Sequence, residues 1–439
     1  MGKKEGPKRY SIIAGVGEID GIRAYKGSKI LSIAESIGGK RLDQSLFDVP
    51  LAVDIFYSFF LPVPAIDYSL VEGNNDEALL FRVSTLSALL SSRRFHRLKS
   101  LTTADSTTSV VASASFIERL ARLMEHARAG SGRGKSREDS GESSTSSIVE
   151  RALEQAEHDA RVAKSIKSLI ARTGAGNTSM LSYGDNPEEI LRLARNTNVE
   201  RILRIVMGVK FSLTSKSKLM KRHSRGWLGG IEYGSDLERL HYSQLALPEE
   251  LFLAKLADSK LLLYEKALPA AKGPIYVLLD KSGSMIGEKI DWARAVAVAL
   301  LQRSAMENRP FYARFFDSTV YPLMKVSKST HPSEVLDVLK YLATVRAGGG
   351  TNITGALLAA IDDVVSASQR EAVSDIVIIT DGEDRIDVEQ VMRSMSKARL
   401  NIISVMIQGH NNYLKRLSTR YMTVRKLGSE SILEIVDFE

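Results

Sequence analysis

The sequence predicts an α/β fold with a doubly wound, Rossmann-like sheet over residues 269–439, behind a mainly α-helical N-terminal domain over residues 1–268. Three observations carry this. In the second part, short apolar runs recur at Ile275–Asp280, Phe311–Phe316, Asp375–Asp381 and Asn401–Ile407, with the look of strands buried on both faces. Helical stretches separate them, and such alternation implies a parallel sheet covered on both sides. The first part instead repeats apolar residues at helical spacing.

Taken in order, the N-terminal elements begin with Gly15-x-Gly17, which reads as a turn. Asp20 stands where a dinucleotide fingerprint needs its third glycine. Residues 49–66 are the most apolar stretch, but Pro50, Asp54, Pro62 and Pro64 interrupt it, so it reads as buried core rather than a membrane span. Helices are expected over 76–98 (Leu79, Val83, Leu86, Leu90), 110–129 (Ile117, Leu120, Leu123), 148–171 and 187–207, the last opened by Pro187. Between the second and third, residues 130–147 contain no apolar residue and read as a flexible linker.

In the second part, helices are expected at 289–305, 333–344, 352–366, 387–399 and near Glu430. Ile290, Ala293, Val296, Ala297 and Leu300 form one face of the first.

The 439 residues suit two or three domains. With 44% hydrophobic and 26% charged residues, the composition is that of a soluble globular protein. There is no cysteine, which removes disulfides, thiolate metal sites and cysteine nucleophiles, and favours a cytoplasmic setting. The start of the chain has no signal-peptide core. The net charge of +8 is carried almost wholly before residue 269. Its densest source is the segment 201–225, where Arg201, Arg204, Lys210, Lys216, Lys218, Lys221, Arg222 and Arg225 occur without an acidic residue. Such a segment is a solvated face, a docking surface for an acidic partner, or a nucleic-acid contact. No nucleic-acid motif accompanies it.

Three pieces of the second part fall at strand ends or on a glycine-rich loop: Asp280-Lys-Ser282-Gly-Ser284, Gly348-Gly-Gly-Thr351-Asn352 and Asp381-Gly382. In open α/β sheets, sites form beyond the carboxyl ends of strands where the winding reverses, so 275–280 and 375–381 are expected as neighbours. The side chains offered are two carboxylates and three hydroxyls. Hard oxygens suit Mg²⁺ or Mn²⁺ and not zinc or copper. Ser282, Ser284 and Thr351 would be direct ligands, and Asp280 and Asp381 would act through coordinated waters.

The pattern Asp-x-Ser-x-Ser…Thr…Asp resembles the metal-ion-dependent adhesion site of a von Willebrand factor A domain, and all five positions match. The resemblance implies a metal that mediates protein binding rather than turnover, through a carboxylate offered by a partner. Asn352 departs from the Asp found in many such domains. Upstream, Gly229–Gly234, Asp236–Leu240, Ser243–Leu247 and Leu256–Tyr264 resemble the segment before the A domain in CoxE- and ViaA-type proteins. That likeness implies a MoxR-type AAA+ ATPase partner and a chaperone-like or metal-insertion role. The chain has no Walker A motif of its own.

Two other classes compete. A haloacid-dehalogenase-like phosphatase also binds Mg²⁺ beside an Asp at a strand end, but it needs a second Asp where Ser282 stands. A serine hydrolase would need a nucleophile elbow around Ser284, and His331 and His410 both read as surface residues. Glu383 and Asp384 follow the third motif and read as solvated surface ahead of a place on the metal rim, and Asp317-Ser318 reads as a turn.

Overall fold

The computed structural model describes residues 10–71, 76–130, 141–173, 186–209, 220–269, 272–327, 331–367, 373–382, 384–397 and 399–437. Among the described residues, the chain up to residue 209 forms helices α1 (Gly21–Gly38), α2 (Val49–Phe60), α3 (Glu77–Ser91), α4 (Arg93–Thr102), α5 (Ser106–Gly130), α6 (Gly141–Arg172), α7 (Pro187–Ala194) and α8 (Thr197–Met207). Helix α2 is almost wholly buried and includes Asp54, which lies against Arg82 of α3. Gly15 and Gly17 both have positive φ, in a turn bridged by Tyr10 and Glu18.

Two helices expected as continuous are divided. The pattern over 76–98 breaks where Ser92 leaves helical geometry and caps α4 through the Arg94 N–H. The pattern over 187–207 breaks at Asn196, which caps α8 through the Asn198 N–H. In both cases the apolar period slips by one residue, from Leu90 to Phe95 and from Ala194 to Val199, and a capping side chain offers the backbone an alternative partner. The expected linker falls partly on residues outside those described, and α6 is already helical from Gly141.

Between the two parts stands an antiparallel hairpin, β1 (Met220–Gly234) and β2 (Leu261–Pro269), with α9 (Glu249–Ala257) between its strands. The sequence reading did not foresee it, because the start of β1 shows no apolar alternation.

The second part is a six-stranded sheet in the order β5-β4-β3-β6-β7-β8. Its strands are β3 (Lys272–Asp280), β4 (Phe311–Phe316), β5 (Met324–Val326), β6 (Val373–Thr380), β7 (Leu400–Ile407) and β8 (Arg420–Val424). All neighbours are parallel except the edge strand β5. The helices are α10 (Glu288–Met306), α11 (Pro332–Thr344), α12 (Ile353–Ala367), α13 (Val388–Met395), α14 (Asn412–Leu417) and α15 (Ser429–Val436).

Alternation along β3 sends Ile275, Val277 and Leu279 into one apolar layer, and Tyr276 and Leu278 into the other. The first layer is continuous with the core of the helical part. Helix α8 packs on α10 and α11, Asn198 donates to the Ala343 carbonyl at 2.9 Å, and Arg201 pairs with Asp291 at 3.2 Å. The chain winds from β3 to β4 on one side and returns to β6 on the other, so the reversal falls between β3 and β6.

Candidate metal site

The carboxyl ends of β3 and β6 meet at this reversal, with Leu279 level with Ile379. Asp280 is the last residue of β3 and is fully buried. Ser282 and Ser284 lie in the next loop, tightened by a 3₁₀ turn over Gly283–Met285. Thr351 precedes α12 and Asp381 follows β6.

Four of the five are joined directly. The Ser282 N–H donates to Asp280 Oδ1 at 2.7 Å. Ser282 Oγ and Ser284 Oγ are 3.1 Å apart, and Ser284 donates to Asp381 Oδ1 at 2.6 Å. Thr351 joins by packing: a Cβ on Gly382 would stand 3.2 Å from its methyl and 3.5 Å from its hydroxyl.

Side chains beyond the five hold this arrangement. Thr380 donates its hydroxyl to Asp280 Oδ2 and accepts the Gly382 N–H at 2.9 Å. The glycine loop is pinned to the serine loop through backbone bonds, Gly283 N–H to Gly349 carbonyl at 3.0 Å and Gly348 N–H to Lys281 carbonyl at 2.6 Å. Asp317, at the end of β4, is the hub between them. It pairs with Lys281 at 2.7 Å and accepts from the Thr319 N–H at 2.7 Å and the Tyr321 hydroxyl at 2.9 Å. Its carbonyl takes the Asn352 N–H at 2.9 Å. Gly349 has φ +105°, and a Cβ there would meet Asp317 Oδ2 at 2.9 Å, so the close approach requires glycine.

Asp317 read as a turn residue and proves to be the support of two loops. Asp384, read as solvated, caps α12 by accepting the Ile353 N–H at 2.8 Å. Asn352 accepts the Gly355 N–H at 2.9 Å, so its amide serves the helix start. Glu383 lies outside the described residues. Lys289, in the first turn of α10, stands 2.5 Å from Asp381 Oδ2. Thr380, Lys281 and Lys289 were all missed in sequence. Thr380 and Lys281 each adjoin a motif residue, which is the one signal available.

Burial pushes the Asp280 carboxyl up, against the hydrogen bonds from Thr380 and Ser282, because removing a carboxylate from water disfavours its charge. Burial also acts upward on Asp317, but the bonds from Lys281, Thr319 and Tyr321 outweigh it and hold its pKa at about 2. No Lys or Arg among the described residues pairs with Asp280.

This donor set fits a hard divalent cation. Two oxygens bound side by side at 2.0–2.1 Å in an octahedron stand about 2.9 Å apart, and the Ser282 and Ser284 hydroxyls are at 3.1 Å. Among the described residues there is no cluster of three or more His, Asp or Glu suited to a metal. An ion here would therefore rest largely on neutral hydroxyls.

Of the basic segment 201–225, Arg201 pairs with Asp291 and Arg204 with Glu200 at 2.8 Å. Lys210, Lys216 and Lys218 lie outside the described residues, and Lys221, Arg222 and Arg225 fall on β1. No helix of the described residues is long and apolar enough to cross a membrane.

Residues 275–429 match the family model of the von Willebrand factor type A domain, a fold that commonly serves as a metal-dependent protein-interaction module. Two uncharacterized proteins of Methanocaldococcus jannaschii are similar over both parts of the chain. One is 25% identical over 407 residues, covering 88% of this chain and 90% of its own. The other is 27% identical over 376 residues, covering 82% and 88%. Among solved structures, BatB from Bacteroides thetaiotaomicron is 16% identical, with a TM-score of 0.31, over 37% of this chain and 95% of its own. A mussel byssus protein, proximal thread matrix protein 1 with a zinc-occupied MIDAS motif, is 13% identical, with a TM-score of 0.31, over 38% and 45%.

Proposed function

We propose that the chain is a metal-dependent adaptor that captures an acidic side chain of a protein partner and turns over no substrate. Ser282, Ser284 and Thr351 would hold Mg²⁺ or Mn²⁺ directly, with Asp280 and Asp381 behind them through water. The ion supplies a Lewis-acidic seat for one more carboxylate. The chain's own groups do the rest. Thr380 and the Ser282 N–H orient Asp280, and the Asp317–Lys281 pair holds the serine and glycine loops in register.

The observation that carries the reading is the buried carboxylate of Asp280, without a cationic partner among the described residues, beneath two hydroxyls at the spacing of neighbouring ligands. A buried carboxylate without a cation is costly, and a divalent ion offsets that cost. The resemblance of 229–264 to CoxE- and ViaA-type proteins supports a MoxR-type AAA+ ATPase as the partner, in a chaperone-like or metal-insertion role in the cytoplasm. On this reading the division into 1–268 and 269–439 separates a basic second contact from the metal grip.

The test is a pull-down with the full chain, with and without Mg²⁺, read by mass spectrometry. Partners retained with Mg²⁺ are expected to be lost in EDTA and lost from the Asp280→Ala, Ser282→Ala double variant. Retention unchanged by EDTA would overturn the adaptor reading.

A further inference from the structure

Lys289 breaks a local rule. It sits in the first turn of α10, where the helix dipole disfavours a cation and where Glu288 and Asp291 are the expected residues. Gly287, which caps the helix two residues earlier, has φ +96°, and the Lys289 ammonium lies on Asp381, whose side chain is only 4% exposed. Local choices that contradict the fold's own preferences tend to mark functional positions.

The charge count shows what this lysine changes. Lys281 and Asp317 cancel each other. Among the described charged side chains that belong to the five positions or bond to them, that leaves Asp280, Asp381 and Lys289, a sum of −1. A divalent ion brings the sum to +1, and one carboxylate brings it to zero. Without Lys289 the loaded site would already be neutral, and an anion would be drawn by the ion's open position alone.

Building on the adaptor reading, we propose that Lys289 is a selectivity residue. Its fixed positive charge weakens retention of the metal and favours anionic over neutral ligands at the loaded site. The two effects have opposite signs. Repulsion of the ion by the ammonium lowers metal affinity, and attraction of a carboxylate raises ligand affinity. A residue that merely held Asp381 in place would, when removed, weaken both together.

The experiment uses the full chain as wild type, Lys289→Gln and Lys289→Arg, with circular dichroism to establish folding. Mn²⁺ alone is titrated and followed by electron paramagnetic resonance. The Mn²⁺-loaded protein is then titrated with acetate or acetamide, read by water-proton relaxation. Lys289→Gln is expected to bind Mn²⁺ about 10-fold more tightly and to lose several-fold of its preference for acetate over acetamide. Lys289→Arg is expected to behave as wild type. Weaker or unchanged Mn²⁺ binding by the folded Lys289→Gln protein, or an undiminished acetate preference, overturns the proposal while the adaptor reading stands. Failure of the wild type and both variants to bind Mn²⁺ at all would defeat both.

Discussion

Two fully buried carboxylates, one in each part of the molecule, are treated in opposite ways. In the helical part, Asp54 accepts from Ser11 at 2.5 Å and from the Ile12 N–H at 3.2 Å, and it is closed by the guanidinium of Arg82. Asp159 and Glu118 are likewise closed by Arg195, at 3.0 and 2.8 Å. In the sheet part, Asp280 has a hydroxyl and an amide and no partner of opposite charge among the described residues. Buried charges that serve structure come already balanced. The one left unbalanced among the described residues sits at the strand ends, where a ligand can supply the missing charge.

The sharpest way to break this contrast is to delete each carboxylate. Asp54→Ala strands the Arg82 guanidinium, leaving it the Tyr10 carbonyl at 3.2 Å, and is expected to cost about 3–5 kcal/mol in urea unfolding. Asp280→Ala, in EDTA, should cost far less or raise stability, since it removes a desolvated charge. Equal losses would erase the distinction. Asp280→Asn is expected to lower Mg²⁺ affinity roughly 10- to 100-fold by calorimetry, as changes behind the directly bound ligands do. Affinity equal to wild type would remove Asp280 from the site.

A smaller effect is expected at the loop hub. The Asp317 pKa is held at about 2, below the usual 3.8. Its contribution is therefore present above the usual value and lost as pH falls from about 4 through about 2. Asp317→Asn should cost about 1 kcal/mol near neutral pH once screening near the rim is allowed for. The gap to wild type should close on acidification, and a constant gap would speak against the ion pair as its source. The smallest effect belongs to Arg201→Ala. Its pair with Asp291 has an arginine 61% exposed, so the loss should be under about 1 kcal/mol and shrink in salt.

The sheet was legible because its central strands announce themselves. Ile275–Asp280 and Asp375–Asp381 are apolar runs closed by a carboxylate, and β3 and β6 are indeed neighbours. The edges were not legible. β5 is three residues long, and β8 is mostly half-buried, so neither carries a periodic signal. Strand context placed Asp280, Ser282, Ser284, Thr351 and Asp381 at adjoining strand ends, and hydrogen bonds link four of them in series. Their supports were not legible. Asp317 and Lys281 lie 36 residues apart, and Lys289 and Asp381 lie 92 apart. Pairings at such separations are set by strand order, which charge patterns along the chain do not display. The helix breaks at Ser92 and Asn196 did leave a mark, a five-residue step in the apolar period from Leu90 to Phe95 and from Ala194 to Val199, but a slip of one residue is easily read through as a continuous helix.

Helix α10 is buried along nearly its whole length, from Ile290 to Ser304, by the sheet on one side and by α8 and α15 on the other. A protein cut near residue 268 would lose α8 but keep α15, and would present to water the stretch of that flank which α8 covers, an apolar strip that favours clumping. The sheet is thus a poor candidate for lending to other chains as a loose cassette. The two archaeal relatives align over both parts, helices and sheet together.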